Sequence, residues 1–272
     1  MTFVVCNLLG PGEANYGLAN QMFGVAATLS YAKDTNKTPL FPCLNNVQQF
    51  GNYHKNIFHK LNTSLPTEEV RFLYKEPNFR YSPILDYPNL MIEGYFQSEK
   101  YFCHNRQLIL ETLVLPREIE EQINSKYSDI LNLDNTVAVH IRRGDYLSIF
   151  NGCFEILGDS YYRAAMKKMP SDSIFVFFGE HPEDVQYCRD AFSVKNGIYI
   201  QGEEDIVDLY LMSKMRHNII ANSSFSWWSA WLNNNESKRV IAPQKWFGKD
   251  HPTLSNSDVV TKDLIPNTWE RL

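Results

Sequence analysis

Apolar and polar positions along this chain follow two rhythms, and both are cleaner in the second half than in the first. Residues 3–6 are a short apolar run that predicts a buried strand. A loop rich in Gly and Pro follows. Residues 19–33 then predict a helix, because Ala26, Leu29 and Ala32 share one face at a period near 3.6. Residues 39–42 predict the next strand. Between residues 48 and 88, Asn, Tyr and Pro are frequent and no period holds, so irregular chain is expected there. Residues 90–93 predict a strand, and 101–115 a helix.

From residue 136 onward the alternation is regular. Strands are predicted at 136–141, 174–178, 198–200, 218–221 and 239–242. Helices are predicted at 161–169, 182–192 with Pro182 in its first turn, 205–213 and 226–232. Strands that alternate with helices imply a parallel sheet covered on its faces. The polar stretch 132–135 is the predicted boundary. It divides the chain into an N-terminal α/β domain (1–133) and a C-terminal Rossmann-like domain (134–272), the two Rossmann-like domains facing each other across a cleft.

Composition adds exclusions more than assignments. The 272 residues suffice for one large domain or two of about 130 each. At 44% apolar and 21% charged, the chain reads as globular and soluble. The 14% of aromatic residues suits a sugar-binding protein and a large core equally. A net charge of −5 with no basic tail or basic helix argues against a nucleic-acid partner. The five cysteines are odd in number, widely spaced and without CxxC, which points to reduced thiols rather than disulfides or zinc. No signal peptide pattern is present. The longest apolar stretches, only about six residues, do not provide a transmembrane segment. Peripheral association with a membrane stays open.

Four segments carry candidate chemistry. In His140-Ile141-Arg142-Arg143-Gly144-Asp145-Tyr146 an apolar strand ends in a cationic cluster. Ligands of parallel sheets sit beyond the carboxyl ends of strands. Two guanidinium forks there can grip a pyrophosphate, or can simply pair with structural carboxylates. Arg143-Gly144-Asp145 also spells an adhesion tripeptide, a match short enough to arise by chance. In Asn222-Ser223-Ser224-Phe225-Ser226-Trp227-Trp228 a hydroxyl-rich turn opens a helix, which makes an anion site or a plain N-cap. Trp227 and Trp228 fit the core better than a sugar platform. Asp208 lies in the first turn of a helix, where a carboxylate either serves the dipole or faces the two N–H donors of a guanine edge. Gly17 precedes a helix that carries Asn20 in its first turn, placed either to cap or to act at a cleft. GxGxxG, Walker A, HExxH and DxD motifs are all absent. Glu203-Glu204-Asp205 is the nearest acidic cluster, and a solvated helix start explains it better than a metal site does.

Taken together the four segments resemble glycosyltransferase family 11, the α-1,2-fucosyltransferases. Residues 140–146 match that family's HxRRGDY signature. Residues 208–213, 222–228 and 230–232 resemble its DxYLMS and NSTFSWWxAWL blocks. Residues 241–247 resemble its IAPxxWF ending, and 17–23 its GxLGNQMF opening. Ala19 stands in place of the usual Gly, Ser224 in place of Thr, and a longer lead, residues 10–16, precedes the opening motif. The resemblance implies a GT-B fold and an inverting hexosyltransferase of the galactoside 2-α-L-fucosyltransferase type. It would move L-fucose from GDP-β-L-fucose to a galactose hydroxyl of a glycan acceptor, with no cofactor and no metal. Transfer of another sugar or linkage, and an inactive GDP-sugar-binding module, are the alternatives.

By position, the resemblance implies that His140 and Asp208 contact the guanosine and Arg142 the β-phosphate, with Arg143 assisting. Ser223, Ser224 and Ser226 match the phosphate turn, and Asn20 an Asn near the reacting centre. Glu93 and Asp145 are the candidate bases. Asp145 lies beside two arginines, and so is better cast as the residue that orients one of them. A Golgi transferase would carry a membrane anchor, so the chain is expected to be a cytoplasmic microbial or viral enzyme. The sequons at Asn36, Asn62, Asn222 and Asn235 would then be chance matches.

Overall fold

The computed structural model describes residues 2–8, 17–148, 152–251 and 261–272; the lead at residues 10–16 lies outside the described residues. The chain divides into two units, one of residues 1–122 with 262–266, the other of residues 123–261 with 267–272.

The N-terminal unit is built on a parallel sheet of four strands. These are β1 (Phe3–Asn7), β2 (Thr38–Leu40), β3 (Phe72–Lys75) and β4 (Leu90–Glu93), in the order β2-β1-β4-β3. β1 has neighbours on both sides and is buried from Phe3 to Cys6, which is why it reads as an unbroken apolar run. Helix α1 (Leu18–Asp34) is buried over most of its surface rather than along one stripe. Gly24 lets it settle on the sheet: a Cβ there would lie 2.7 Å from Leu8 Cδ2. After a short helix α2 (Val47–Phe50) comes β3, inside the stretch expected to be irregular. β3 is an edge strand with three of its four residues exposed, so it carries no apolar alternation to read. The expected helix at 101–115 is broken into two 3₁₀ turns, Glu99–Tyr101 and Cys103–Asn105, followed by α3 (Arg106–Thr112). Asn105 interrupts it by donating to Ser30 Oγ (2.9 Å) and Asp34 Oδ1 (2.8 Å) of α1.

α4 (Arg117–Lys126) and α5 (Ser128–Leu131) lead into the second unit. The structural division falls within α4, upstream of the polar stretch 132–135. The reason lies in contacts: Tyr210 donates to Asn124 Oδ1 (2.9 Å) and Lys126 pairs with Glu203 (2.7 Å), so the end of α4 belongs to the unit it precedes.

The C-terminal unit follows the predicted alternation. It contains β5 (Thr136–Ile141), α6 (Gly144–Leu147), α7 (Asp159–Lys167), β6 (Ile174–Gly179), α8 (Pro182–Phe192), β7 (Ile198–Ile200), α9 (Asp205–Lys214), β8 (His217–Ile219), α10 (Ser224–Leu232), β9 (Val240–Ala242) and β10 (Glu270–Arg271). All six strands are parallel, in the order β10-β9-β8-β5-β6-β7. The chain therefore winds outward from β5 in one direction, then returns and winds outward from β8 in the other. Trp227 and Trp228 are fully buried, their rings packed on each other and on Trp231 and Trp269. Among the described residues no helix is long and apolar enough to cross a membrane.

Candidate donor site in the C-terminal unit

In a doubly wound sheet the ligand crevice opens beyond the carboxyl ends of the strands, where the winding reverses. Here that point lies between β5 and β8. The end of β5 and the segment after it carry residues 140–146, and the segment after β8 carries residues 222–226, so both motifs lie at the same edge of the sheet. They touch: Tyr146 donates its hydroxyl to Asn222 O (3.0 Å), and the His140 ring lies 5.7 Å from the Phe225 ring.

Arg142 is largely buried and its fork is occupied. Nη2 bonds Asp145 Oδ2 at 2.7 Å and Nη1 pairs with Glu180 Oε2 at 2.5 Å, while the guanidinium carbon lies 5.4 Å from the Tyr146 ring centre. Asp145 thus orients Arg142. Glu180 escaped the sequence reading; its only signal is a position directly after β6, at the carboxyl edge. Nε of Arg142 is buried without a partner among the described residues. Arg143 makes a different contact, its guanidinium stacked 4.0 Å over the Tyr187 ring of α8.

His140 is 4% exposed, and its Nδ1 has no partner among the described residues. Burial first, then the Arg142 charge, push its pKa down to about 3, so the ring is neutral. Asp208 shows the mirror effect. Burial first, then Glu203 and Asp205, raise its pKa to about 7, and Oδ1 is buried without a partner among the described residues. Glu203 itself is held below the ordinary range by its bond to Lys126. Among the described residues no three His, Cys, Asp or Glu side chains are grouped to hold a metal ion.

The three serines separate by where their hydroxyls go. Ser226 is fully buried and donates inward, toward Ala221 O (3.4 Å) and Ser223 O (3.3 Å). Ser223 caps α10, accepting from Phe225 N–H at 3.3 Å. Ser224 is half-buried, and no described residue bonds its hydroxyl. Asn222, the third sequon, is fully buried and donates to Glu155 O (2.8 Å) and Trp246 O (2.7 Å), so it is a brace rather than a glycan acceptor.

In the N-terminal unit, Asn20 sits in the first turn of α1 and accepts from Gln97 Nε2 at 2.8 Å. Glu93 ends β4 with both oxygens engaged, Oε2 by Asn7 (2.8 Å) and Oε1 by Lys75 (3.0 Å).

This fold is that of the solved fucosyltransferases: NodZ alpha-1,6-fucosyltransferase soaked with GDP-fucose superposes with a TM-score of 0.53 at 14% identity, over 85% of this chain and 92% of that one. Within that class the chain belongs to glycosyltransferase family 11, since the sequence model of Glycosyl transferase family 11 matches residues 14–262. Among its relatives is an alpha-1,2-colitosyltransferase of Escherichia coli, 29% identical over 100% of this chain and 99% of the relative. Another is a galactoside 2-alpha-L-fucosyltransferase of Caenorhabditis elegans, 26% identical over 94% of this chain and 77% of the relative. The chain is therefore a glycosyltransferase, built on a fucosyltransferase fold.

Proposed function

We propose that this enzyme moves L-fucose from GDP-β-L-fucose to a galactose hydroxyl in α-1,2 linkage, with inversion and without a metal. The observation that carries the donor assignment is a set of buried polar atoms with no partner among the described residues. Nδ1 of His140, Nε of Arg142 and Oδ1 of Asp208 are all of this kind, and all belong to segments at the ligand edge of the C-terminal sheet. Folded proteins rarely bury such atoms unpaired, and each costs about 1–3 kcal/mol. A bound nucleotide would supply partners.

Asp208 accepts from the N–H edge of guanine, and the neutral His140 lies beside the nucleoside. The departing pyrophosphate gathers negative charge as the fucosyl bond breaks. Arg142, the N-terminus of α10 and the Ser224 hydroxyl meet that charge with donors set before reaction. Because the Arg142 fork already holds two carboxylates, the more exposed of them, Glu180, gives way to the phosphate. Asn20 positions the acceptor hydroxyl or the leaving oxygen, and no carboxylate base is essential. The acceptor attacks opposite GDP, which inverts the β-linked donor to an α-product.

A second reading takes colitose, the 3-deoxy counterpart of L-fucose, from its GDP sugar. The full-length match to the colitosyltransferase favours it. The two are told apart by GDP release from GDP-L-fucose and GDP-colitose with and without lactose, the linkage being read by NMR. Acceptor-dependent release from GDP-colitose alone would overturn the fucose reading.

A further inference from the structure

We propose that Glu76 is a positioning residue of the acceptor side: it pins the turn at residues 94–97 that brings Gln97 onto Asn20. The proposal rests on the reading of Asn20 given above. Glu76 directly follows β3, at the carboxyl end of the N-terminal sheet. Its Oε2 accepts two backbone N–H groups of the turn, from Tyr95 (2.8 Å) and Phe96 (2.9 Å). Its Oε1 accepts the Tyr101 hydroxyl (3.0 Å), and its own N–H donates to Glu93 O (2.8 Å).

The turn needs such a clamp. Phe96 is held at φ 50°, a left-handed conformation that an aromatic residue rarely adopts. The clamp also dictates its neighbour, because a Cβ on Gly94 would lie 2.4 Å from Glu76 Cβ. One residue beyond Phe96 comes Gln97, 9% exposed, whose Nε2 donates to Asn20 Oδ1 at 2.8 Å. That bond turns the Asn20 amide so that its nitrogen, which no described residue engages, is the end left for a ligand oxygen. The path from Glu76 to Asn20 thus runs through two backbone N–H groups and one side-chain bond. Glu76 meets no substrate in it. Burial pushes the Glu76 carboxyl up to about 6, against the pull of its three donors, so the group is held at a cost that a purely surface role would not require.

The test uses the full chain and reads kcat at saturating GDP-fucose and lactose, GDP affinity by calorimetry, and thermal melting. Glu76→Ala is expected to lower kcat at least tenfold while GDP affinity stays within twofold. Glu76→Gln keeps an acceptor for the two N–H groups and recovers most of the loss. Gln97→Ala, which leaves the turn's own bonds in place, shows the same fall in kcat with an unchanged melt, and decides the matter if Glu76→Ala does not fold. Glu76→Ala added to Asn20→Ala costs nothing further. The proposal is overturned if folded Glu76→Ala or Gln97→Ala stays within threefold of wild type, or if the Glu76 loss adds in full to that of Asn20→Ala. An Asn20→Ala enzyme within threefold of wild type instead removes Asn20 from the reaction, and the positioning role with it.

Discussion

The two units end their parallel sheets in opposite ways. At the carboxyl edge of the C-terminal sheet polar atoms of His140, Arg142 and Asp208 are buried and unmatched by any described residue. At the carboxyl edge of the N-terminal sheet Glu93 pairs with Asn7 and Lys75, Glu76 with three donors, and Asn20 with Gln97. On the function proposed above, a bound nucleotide supplies the partners that the first edge lacks. At the second, these carboxylates and the Asn20 carbonyl are already paired within the unit. A transferase that must hold a charged donor tightly and release a neutral acceptor easily is served by that asymmetry, because charge-assisted bonds are the strong ones.

The comparison breaks most visibly at Arg142. Arg142→Lys keeps the charge but loses the planar fork, and kcat should fall about 10²-fold or more. A mutant within threefold of wild type would take Arg142 out of the mechanism.

Asp208→Asn should weaken GDP binding about 10- to 150-fold, since it exchanges a charged acceptor for an amide. The same change should stabilise the empty protein. Asp208 has its pKa raised in the fold, so its contribution to stability is fully present below the ordinary carboxylate range and is lost as pH rises through about 7. The melting temperature of Asp208→Asn should therefore exceed that of wild type by a margin that grows from pH 5 to pH 8. An equal melt at both pH values, with GDP affinity unchanged, would return Asp208 to a helix-start role.

On the second edge, Asn20→Ala should cost about tenfold or more in kcat and Glu93→Gln less than threefold, because both Glu93 oxygens already have partners and Asn20 has a nitrogen to spare. If Glu93→Gln is the dead enzyme while Asn20→Ala stays active, Glu93 is the base. A small effect in the opposite direction is expected at Glu180. Glu180→Gln removes a carboxylate that competes with phosphate for the Arg142 fork, and GDP should bind a few-fold tighter. Weaker binding would make Glu180 a support for Arg142 rather than its placeholder. Addition of EDTA should leave the rate unchanged.

Much of the C-terminal unit was legible in the sequence. β5 is buried at all six positions and shows as an apolar run; Pro182 marks the start of α8; the serine turn marks the start of α10. These signals are local, set by side-chain period and capping chemistry within one turn or strand. The N-terminal unit was legible at β1, α1, β2 and β4, and in part at α3. β3 was hidden because an exposed edge strand owes its existence to its partner β4, not to its own pattern.

The sequence by itself determined the family, the alternation that builds the C-terminal sheet, and the residues at its ligand edge. Only the tertiary structure decided which of those residues are open. It turned Ser226 inward and left Ser224 outward, laid Arg143 on Tyr187, and closed the Arg142 fork with Glu180. It also joined Gln97 to Asn20 across 77 positions of chain. The physical reason is one of range. Periodicity and capping act between residues a few positions apart, whereas a hydrogen-bond partner is chosen by whichever donor and acceptor the packed sheets bring within about 3 Å of each other.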